Sequence, residues 1–473
     1  MLTPVAERER IVDLDVIRGF ALLGIFLMNV EFFGRALADL DSGMAAGTSG
    51  LDHWVDWLVY VLVRGKFWTL FSLLFGMGFA VMLSRAQARG ASFTWPYLRR
   101  TLVLAAIGAA HFLLLWGGDI LFGYAMGAVL LLLAFELRGR TLLMLGLVSL
   151  AIAAALLASG RDGDALLPAT PFLLVGLPLL LLAVVAWAMR QWPLSGMRNA
   201  GLAIYLLPFA LMVSGAGAGL MVAGEAPASA ELQAAQAAQV AETEARIAAE
   251  NRVMRQGSYP EAVAWRMSEF PRNSGNEAAF SVIVLGVFLL GAWLVHSGIM
   301  FDPAAHLPLF RTLAWTGIPL GIGLGLAGAA VATTHERGVN DVQFTLASGL
   351  TMLGNLPASL GYLGALVVAF HGRWRRLLGL LAPAGRMALT NYLLQSLVGV
   401  LVFHGYGLGL WEAGRAAQVL LVLVVFAGQV ALSHWWLARF RYGPVEWLWR
   451  AATYLHLPPM ARGSLHLADG NSR

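Results

Sequence analysis

Cysteine is absent from the 473 residues of this chain, and lysine occurs once, at Lys66. Without cysteine, disulfide bonds, thiolate catalysis and cysteine-ligated metal sites are excluded. Charged residues are also scarce, since they make up 12% of the chain against 59% hydrophobic residues, whereas soluble domains carry about 25% charged residues. This composition excludes a soluble globular enzyme and indicates a protein embedded in a lipid bilayer.

The net charge is a modest +5. It comes from arginines that lie between apolar runs, which is typical of the cytoplasmic loops of membrane proteins rather than of a nucleic-acid surface. No nucleic-acid partner is therefore expected. The first apolar run contains Asn29 and Glu31 and follows Asp13 and Asp15. Signal peptides avoid these features, so we expect an uncleaved first span.

Long apolar runs are the main feature that is present. Crossing a hydrocarbon core of about 30 Å takes about 20 apolar residues. The runs therefore predict an all-α fold, a polytopic transmembrane helix bundle of about twelve spans, near residues 14–34, 55–84, 99–116, 120–136, 141–159, 171–189, 199–222, 279–299, 311–333, 343–371, 377–403 and 416–438. The second run is too long for one span, and we expect it to break near Arg64 and Lys66.

Arginines alternate between the two sides of the predicted bundle. With the N-terminus inside, each cytoplasmic connection carries arginine, as in "SRAQARGASFTWPYLRR" and "FHGRWRRLLG". The opposite loops, such as "ADLDSGMAAGTSGLDH" and "THERGVND", are acidic or nearly neutral. Because the short cytoplasmic loops of membrane proteins carry the excess of Lys and Arg, we expect both termini to be cytoplasmic.

One connection is long and divides the chain. Residues 1–222 form an N-terminal seven-span region, residues 223–278 an external helical loop, and residues 279–473 a C-terminal region of five spans with a cytoplasmic tail. The loop predicts a helix opened by Ser229 and ended by Gly257, followed by a short amphipathic helix on the membrane surface. Charge-laced exposed helices are common connectors, so a solvated connector is favoured over a lid on an active site.

Ionisable side chains at bilayer depth are costly unless they are paired or hydrated, which makes each one a functional candidate. Near the predicted external ends lie Asn29, Glu31, Lys66, His111 and Asp119. In "HFLLLWGGDILFGY" a Gly-Gly turn lets Asp119 approach His111, and a carboxylate fixes the imidazole tautomer that a general base requires. The alternative is structural, with His111 in a buried interhelical hydrogen bond and Asp119 as a helix N-cap.

Lys66 has two interpretations of its own. A site that needs a compact point charge gives a reason for lysine in a chain whose other cations are all arginine. Alternatively, its long side chain reaches the external interface and keeps the ammonium hydrated.

Near the predicted cytoplasmic ends, Asp15 and Arg18 are spaced to pair on one helix face. Arg85, Arg99 and Arg100 flank the next cytoplasmic loop and make a basic mouth suited to phosphates or anionic headgroups. Orientation by the positive-inside rule is the alternative explanation for these arginines.

The eleventh predicted span has polar residues at its start, in "PAGRMALTNYLLQS". If Arg386 is buried, its guanidinium group requires an anionic partner. Asn391 and Gln395 are four residues apart on one helix face, and interhelical hydrogen bonds alone would explain their amides.

Five motifs stand in order along the chain: "LDVIRGFALLGIFLMNVEFFG", "GKFWTLFSLLFGMGF", "HFLLLWGGDILFGYAMGAVL", "GRMALTNYLLQS" and "FRYGPVEWLWR". Together they resemble the YeiB-like family of bacterial inner-membrane proteins, whose C-terminal part is a domain of unknown function. The resemblance covers nearly the whole chain and implies a multi-pass protein of the bacterial inner (plasma) membrane. "LDVIRG" is also distantly similar to the start of the transmembrane acyltransferase superfamily, which includes heparan-α-glucosaminide N-acetyltransferase.

The distant similarity implies transfer of an acyl group from cytoplasmic acyl-CoA to an extracytoplasmic acceptor, a glycan or lipid hydroxyl or amine, with histidine as the base. In that interpretation Asp119 orients His111, and Lys66 stabilises the oxyanion or binds an anionic acceptor. His53, in the loop after the first span, is the positional match to the superfamily's histidine. The choice between His53 and His111 as the base therefore stays open.

Acyl-CoA is the implied acyl donor, and no metal is implied. Its phosphates are expected at the arginine mouth, and further candidates for substrate binding are Asn29, Glu31, His53, Arg18, Arg386, Asn391 and Gln395. The rival hypothesis is a transporter of a small anionic metabolite or lipid, in which the same charges form a pathway. The expected partners are the lipid bilayer and a small-molecule or glycan acceptor, and the sequence does not predict the oligomeric state.

Overall fold

A computed structural model describes residues 10–42, 44, 47–159, 166–222, 230–332 and 341–462. Within these ranges the fold is all-helical, as predicted, and contains no β-strand. The α-helices are α1 Val12–Asn29, α2 Gly50–Leu62, α3 Lys66–Ala88, α4 Thr94–Leu114, α5 Leu121–Glu136, α6 Gly139–Ser159, α7 Leu166–Gln191, α8 Pro193–Val222, α9 Ala230–Gln256, α10 Tyr259–His296, α11 Leu307–Thr312, α12 Ile318–Ala332, α13 Val342–Phe370, α14 Arg375–Gly379, α15 Ala382–Arg386, α16 Ala388–Phe403, α17 Arg415–Arg439 and α18 Pro444–Tyr454.

The number of membrane spans is close to the prediction. In the described part of the chain, 10 helices are long and apolar enough to cross a membrane, or up to 11 if α14–α15 and α16, which are bent by 81°, form one span. The remaining predicted span corresponds to α5, which has only 16 residues and, at about 1.5 Å per residue, is shorter than the hydrocarbon core. The described residues therefore form a polytopic helix bundle with ten or eleven helices of full span length.

The long second apolar run is broken, as expected. Gly65 has φ +81° between α2 and α3, a conformation that residues with a Cβ rarely adopt. The side-chain amide of Asn355 in α13 packs directly against this glycine. The break therefore fixes the start of α3, which packs at the centre of the bundle against α1, α10 and α13.

The long connection differs from its prediction. The expected surface helix is absent as a separate element, because one helix of 38 residues, α10, runs from Tyr259 through position 278 into the next span. The preceding α9 is docked rather than free. Glu250 accepts hydrogen bonds from the backbone N–H groups of Leu37 (3.0 Å) and Ala38 (3.1 Å), and the Met254 carbonyl accepts one from Gly405 (2.8 Å). The connector, which consists of α9 and the first part of α10, is therefore packed on the bundle, and we call it the roof.

Candidate functional site

The clearest polar cluster begins with His111, at the end of α4. The segment after α4 reverses the chain at Gly117 and Gly118, and this brings Asp119 back to His111. The Asp119 Oδ1 atom lies 2.8 Å from Nδ1 of the imidazole, while Oδ2 accepts a hydrogen bond from the Phe122 N–H at 2.8 Å. Both side chains are buried, with residue exposures of 2% for His111 and 5% for Asp119. The sequence predicted this pairing, and Asp119 holds the histidine and opens α5 at the same time.

Ser396 of α16 completes a linear array. Its Oγ lies 2.8 Å from Nε2 of His111. A carboxylate at Nδ1 accepts the proton on that nitrogen, so Nε2 is the basic atom and the serine hydroxyl donates to it. The order of groups is therefore serine, histidine and aspartate, with a base positioned on a hydroxyl.

Ser396 is not predicted as a site residue by the sequence. Its partner lies 285 positions earlier in the chain, and one serine within an apolar span carries no spacing signal of its own. The only sequence clue is the neighbouring Gln395 and Asn391, which marked α16 as a polar helix.

Two aromatic side chains flank the imidazole. The ring of Tyr392, one turn before Ser396, lies 5.1 Å from the His111 ring between centroids. Trp116 lies 6.4 Å away at a steep angle, and its indole N–H donates to the Phe32 carbonyl (3.1 Å). The buried hydroxyl of Tyr392 donates no hydrogen bond to the described residues. It is therefore a donor that is available beside the base.

A first cavity lies at the end of the bundle that the sequence predicts to be cytoplasmic. We call it the arginine cavity, because its volume of about 290 Å³ is lined by six arginines, Arg10, Arg18, Arg85, Arg100, Arg386 and Arg450. The carboxylates in its wall are Asp15 and Glu446, and apolar side chains such as Leu74 and Phe79 also line it. Two acidic groups against six cations leave a positive surface that suits phosphate groups.

The arginines of this cavity are held by different partners. Arg18 forms an ion pair with Asp15 at 2.8 Å, and Arg100 lies over the Trp449 ring, 3.6 Å from its centroid. Burial lowers the pKa of Arg450, which lies in α18. Because burial disfavours a charged group without a counter-ion, an anion that enters the cavity would gain from these guanidinium groups.

A second cavity lies at the opposite end. We call it the mixed-charge cavity: it has a volume of about 570 Å³ and is lined by the cations Arg64, Arg246, Arg266 and Arg272, the carboxylates Asp119, Glu250, Glu269 and Glu277, and the indoles Trp68, Trp116, Trp265 and Trp411. Several of these residues belong to α9 and the first part of α10. The roof therefore forms part of the lining of the mixed-charge cavity.

The two cavities approach each other at His111. Ile25 and Ile120 line both of them. Asp119 faces the mixed-charge cavity and Tyr392 faces the arginine cavity, while His111 contacts both residues. His111 and Ser396 themselves line neither cavity. The base therefore contacts each cavity through one neighbour, Asp119 on one side and Tyr392 on the other.

Glu277 adds a carboxylate that the sequence analysis did not select, because it was assigned to the external loop. It lines the mixed-charge cavity with Asp119. One carboxylate oxygen is buried without a hydrogen-bond partner among the described residues and packs against Gly123 of α5. Only a residue without a Cβ leaves room for it there.

The structure does not bring Lys66 into this cluster. Lys66 is 1% exposed and lines neither cavity. Its Nζ points at α12, where a Cβ built on Gly325 would lie 3.6 Å away. It reaches neither His111 nor the external interface, so both interpretations from the sequence need correction: a role at the oxyanion and a hydrated ammonium are each inconsistent with this position.

Of the other residues near the predicted external ends, Asn29 lines the mixed-charge cavity. Glu31 instead belongs to a buried ionic network, in which it pairs with Arg35 and, at 3.4 Å, with Arg415. Arg415 also binds Asp56 at 3.0 Å. His53 is exposed on α2, next to Trp54, so the geometry favours His111 over His53 as the base.

The residues near the predicted cytoplasmic ends separate in a similar way. Arg18, Arg85, Arg100 and Arg386 line the arginine cavity, whereas Arg99 does not and donates to the Thr453 carbonyl at 3.1 Å. The amides of α16 bind the neighbouring α17.

Both side-chain amides donate a hydrogen bond to α17. The Gln395 Nε2 atom donates to Gln429 (3.0 Å), and the Asn391 Nδ2 atom donates to Ser433 (3.1 Å). Interhelical bonding therefore accounts for these donors, as the alternative from the sequence proposed.

Comparisons with known proteins extend along the whole chain. Residues 294–456 match a family described as a protein of unknown function (DUF418). The chain is 30% identical over 469 residues to the uncharacterized protein YxaH of Bacillus subtilis (strain 168), with 98% of each chain covered. It is 27% identical over 459 residues to the uncharacterized protein YeiB of Escherichia coli (strain K12), covering 94% of this chain and 96% of that protein. No solved structure matches significantly. By similarity over nearly its full length, the chain belongs to the YeiB-like family of proteins that carry the DUF418 domain.

Proposed function

We propose that this protein is a membrane-embedded acyltransferase, which moves an acyl group from cytoplasmic acyl-CoA to an extracytoplasmic hydroxyl or amine. In this proposal it lies in the bacterial inner membrane with both termini cytoplasmic. The observation that carries the proposal is the position of His111, paired with Asp119 between the arginine cavity and the mixed-charge cavity. A base between two chambers lets donor and acceptor approach from opposite sides.

The arginine cavity fits the donor. CoA carries several phosphate charges, and guanidinium groups bind phosphate through paired, charge-assisted hydrogen bonds. The apolar lining residues, such as Leu74 and Phe79, suit the less polar arm that carries the thioester. Tyr392 marks where that arm would meet the base.

The mixed-charge cavity fits the acceptor. It is larger, carries both signs of charge and presents indole rings, so it offers hydrogen-bonding and stacking partners to a polar molecule. An acceptor hydroxyl or amine that reaches Nε2 of His111 would lose its proton there, and Asp119 would stabilise the imidazolium.

A transporter of a small anion is the second candidate. It is favoured by one observation, namely that the two cavities share the lining residues Ile25 and Ile120 and lie on either side of them. Alternating access to a central site needs such a division between two sides. The aligned base and hydroxyl have no required role in this candidate, so we rank it second.

The proposal is tested with purified protein, acetyl-CoA or palmitoyl-CoA, and lipid and glycan extracts of a bacterial envelope. We expect CoA release and an acylated product with the wild type, and loss of both with His111→Ala. CoA should raise the melting temperature of both proteins equally, because His111 lies outside the arginine cavity. CoA release that does not depend on His111 would contradict the assignment of the base.

Donor binding is tested separately with Arg100→Ala. This variant should lose most of the stabilisation by CoA. Arg439→Ala is the matched control, because Arg439 also stacks on a tryptophan, Trp435, at 4.6 Å, but lies outside the arginine cavity. If CoA raises the melting temperature of both variants equally, CoA does not bind in this cavity.

A further inference from the structure

We propose that Ser396 accepts the acyl group first, so that transfer runs through an acyl-serine formed inside the membrane. This inference rests on the proposed acyltransferase function and adds a covalent intermediate to it. It assigns a catalytic role to a residue that lies on α16, far along the chain from His111.

The hydrogen bonding of Ser396 is unusual for a serine inside a helix. Such a hydroxyl commonly donates to the carbonyl four residues earlier, and Ser72 and Thr351 do so in this protein, at 2.8 and 2.9 Å. For Ser396 the corresponding distance, to the Tyr392 carbonyl, is 3.4 Å, whereas Nε2 of His111 is 2.8 Å away. The hydroxyl proton is therefore directed to the base and not to its own helix.

Burial favours a covalent step here. Ser396 is 1% exposed and His111 2%. A site without bulk water strengthens the bond between base and hydroxyl and protects an ester from hydrolysis. In the membrane interior, a structural role for Ser396 would be met by its own helix, without a histidine and a carboxylate aligned on it.

The donor would arrive beside Ser396 from the arginine cavity. Tyr392 lines that cavity, lies one helical turn before Ser396, and has a hydroxyl that donates no hydrogen bond to the described residues. A donor group of this kind can stabilise the oxyanion that forms on a thioester carbonyl. Tyr392 therefore takes the role that the sequence analysis gave to Lys66.

The chemical steps balance as follows. Oγ of Ser396 attacks the thioester carbonyl carbon while its proton moves to Nε2 of His111. The C–S bond then breaks, and the CoA sulfur leaves with that proton. In the second half, the acceptor hydroxyl or amine gives its proton to Nε2 and attacks the acyl carbon. The bond to Oγ breaks, and the imidazolium returns the proton to Ser396.

The test uses full-length purified protein with acetyl-CoA, and separately palmitoyl-CoA, without acceptor. We expect a burst of CoA close to one equivalent per protein, and an acyl group on the peptide that contains Ser396, removable by alkaline hydroxylamine. Ser396→Ala should lose the burst and the adduct, yet keep the stabilisation by CoA. Ser433→Ala, a buried serine on the neighbouring α17, is the matched control and should behave like the wild type.

A second variant keeps the inference testable if Ser396→Ala does not fold. Because the chain has no cysteine, Ser396→Cys supplies one thiol, which should capture the acyl group as a thioester that neutral hydroxylamine cleaves. If Ser396→Ala transfers acyl groups at the wild-type rate, or if a wild type that turns over forms no adduct, the inference is overturned while the proposed function stands. Absence of CoA release from the wild type with every acceptor extract would overturn both.

Discussion

At the scale of single residues, the central arrangement is the pairing of His111 with Asp119 and Ser396. Each nitrogen of the imidazole has one buried partner at 2.8 Å, so the ring has one favoured tautomer and orientation. In a membrane interior the loss of one partner leaves another polar group buried and unsatisfied. The three residues therefore depend on one another for stability as well as for chemistry.

Asp119→Asn tests the orienting role. The amide lacks the carboxylate that stabilises the imidazolium, so we expect kcat for acyl transfer to fall by about 10²- to 10⁴-fold, with little change in the affinity for CoA. Asp341→Asn is the matched control, because Asp341 caps α13 by accepting from the N–H three residues later, at 2.6 Å, as Asp119 does in α5. If both variants lower kcat equally, Asp119 acts only as a helix cap and does not orient His111.

The residues of the site differ in how far the sequence predicts them. His111 and Asp119 were found because a short turn brings them together within eight positions. Ser396 and Glu277 come from distant helices, and their approach depends on packing that no local spacing encodes. The position predicted for Lys66 is wrong, because the sequence indicates depth in the membrane but not the direction of the side chain, which points toward α12.

At the scale of elements, the junction of α2 and α3 is the sharpest local constraint. Gly65→Ala should lower the free energy of unfolding by more than the about 1–2 kcal/mol that a left-handed conformation costs a residue with a Cβ, since the new methyl group also meets Asn355. Gly90→Ala is the control, because Gly90 has φ +57° and open space around it. In denaturant unfolding in detergent, Gly65→Ala should have a lower free energy of unfolding than Gly90→Ala. The reverse order would contradict the packing at this break.

The docking of α9 predicts a dependence of stability on pH. Burial raises the pKa of Glu250 above its ordinary value of 4.5, so the folded protein binds this proton more tightly than the unfolded chain does. The contribution of Glu250 to stability is then largest below pH 4.5 and is lost as the pH rises through the raised pKa.

Glu250→Gln checks this sign. The melting temperature of the wild type relative to Glu250→Gln should fall as the pH rises from 4.5, because the glutamine does not titrate. The exposed Glu244→Gln in the same helix is the control and should give no such trend. A relative melting temperature that rises with pH would mean that the two backbone N–H groups favour the charged carboxylate more than burial disfavours it.

The elements themselves were largely predictable. Each predicted span coincides with one helix, with consecutive helices such as α2 and α3, or with the bent α14–α16 segment, because apolar runs of span length have few alternatives in a bilayer. The roof was not predictable from composition. Its helices read as solvated connectors, and only contacts such as Glu250 with Leu37 and Ala38 show that α9 covers a cavity.

At the scale of the whole molecule, the two cavities lie at opposite ends of the bundle and the base lies between them. In the proposed function, the arginine cavity would receive an anionic donor on one face, and the mixed-charge cavity would receive an acceptor on the other. An enzyme of this kind moves an acyl group across the membrane while CoA stays on the side where it entered, whereas a transporter moves its substrate intact. The side on which each product appears therefore separates the two candidates.

The most direct measurement uses sealed vesicles of one orientation that contain the protein and envelope lipids, with [¹⁴C]acetyl-CoA or [¹⁴C]palmitoyl-CoA on one face only. We predict labelled, acylated acceptor on the opposite face when the donor is on the arginine-cavity face, with CoA retained there and no product from His111→Ala vesicles. The account would be contradicted if the label crossed only as intact donor or free metabolite, or if acylated product formed equally with and without His111.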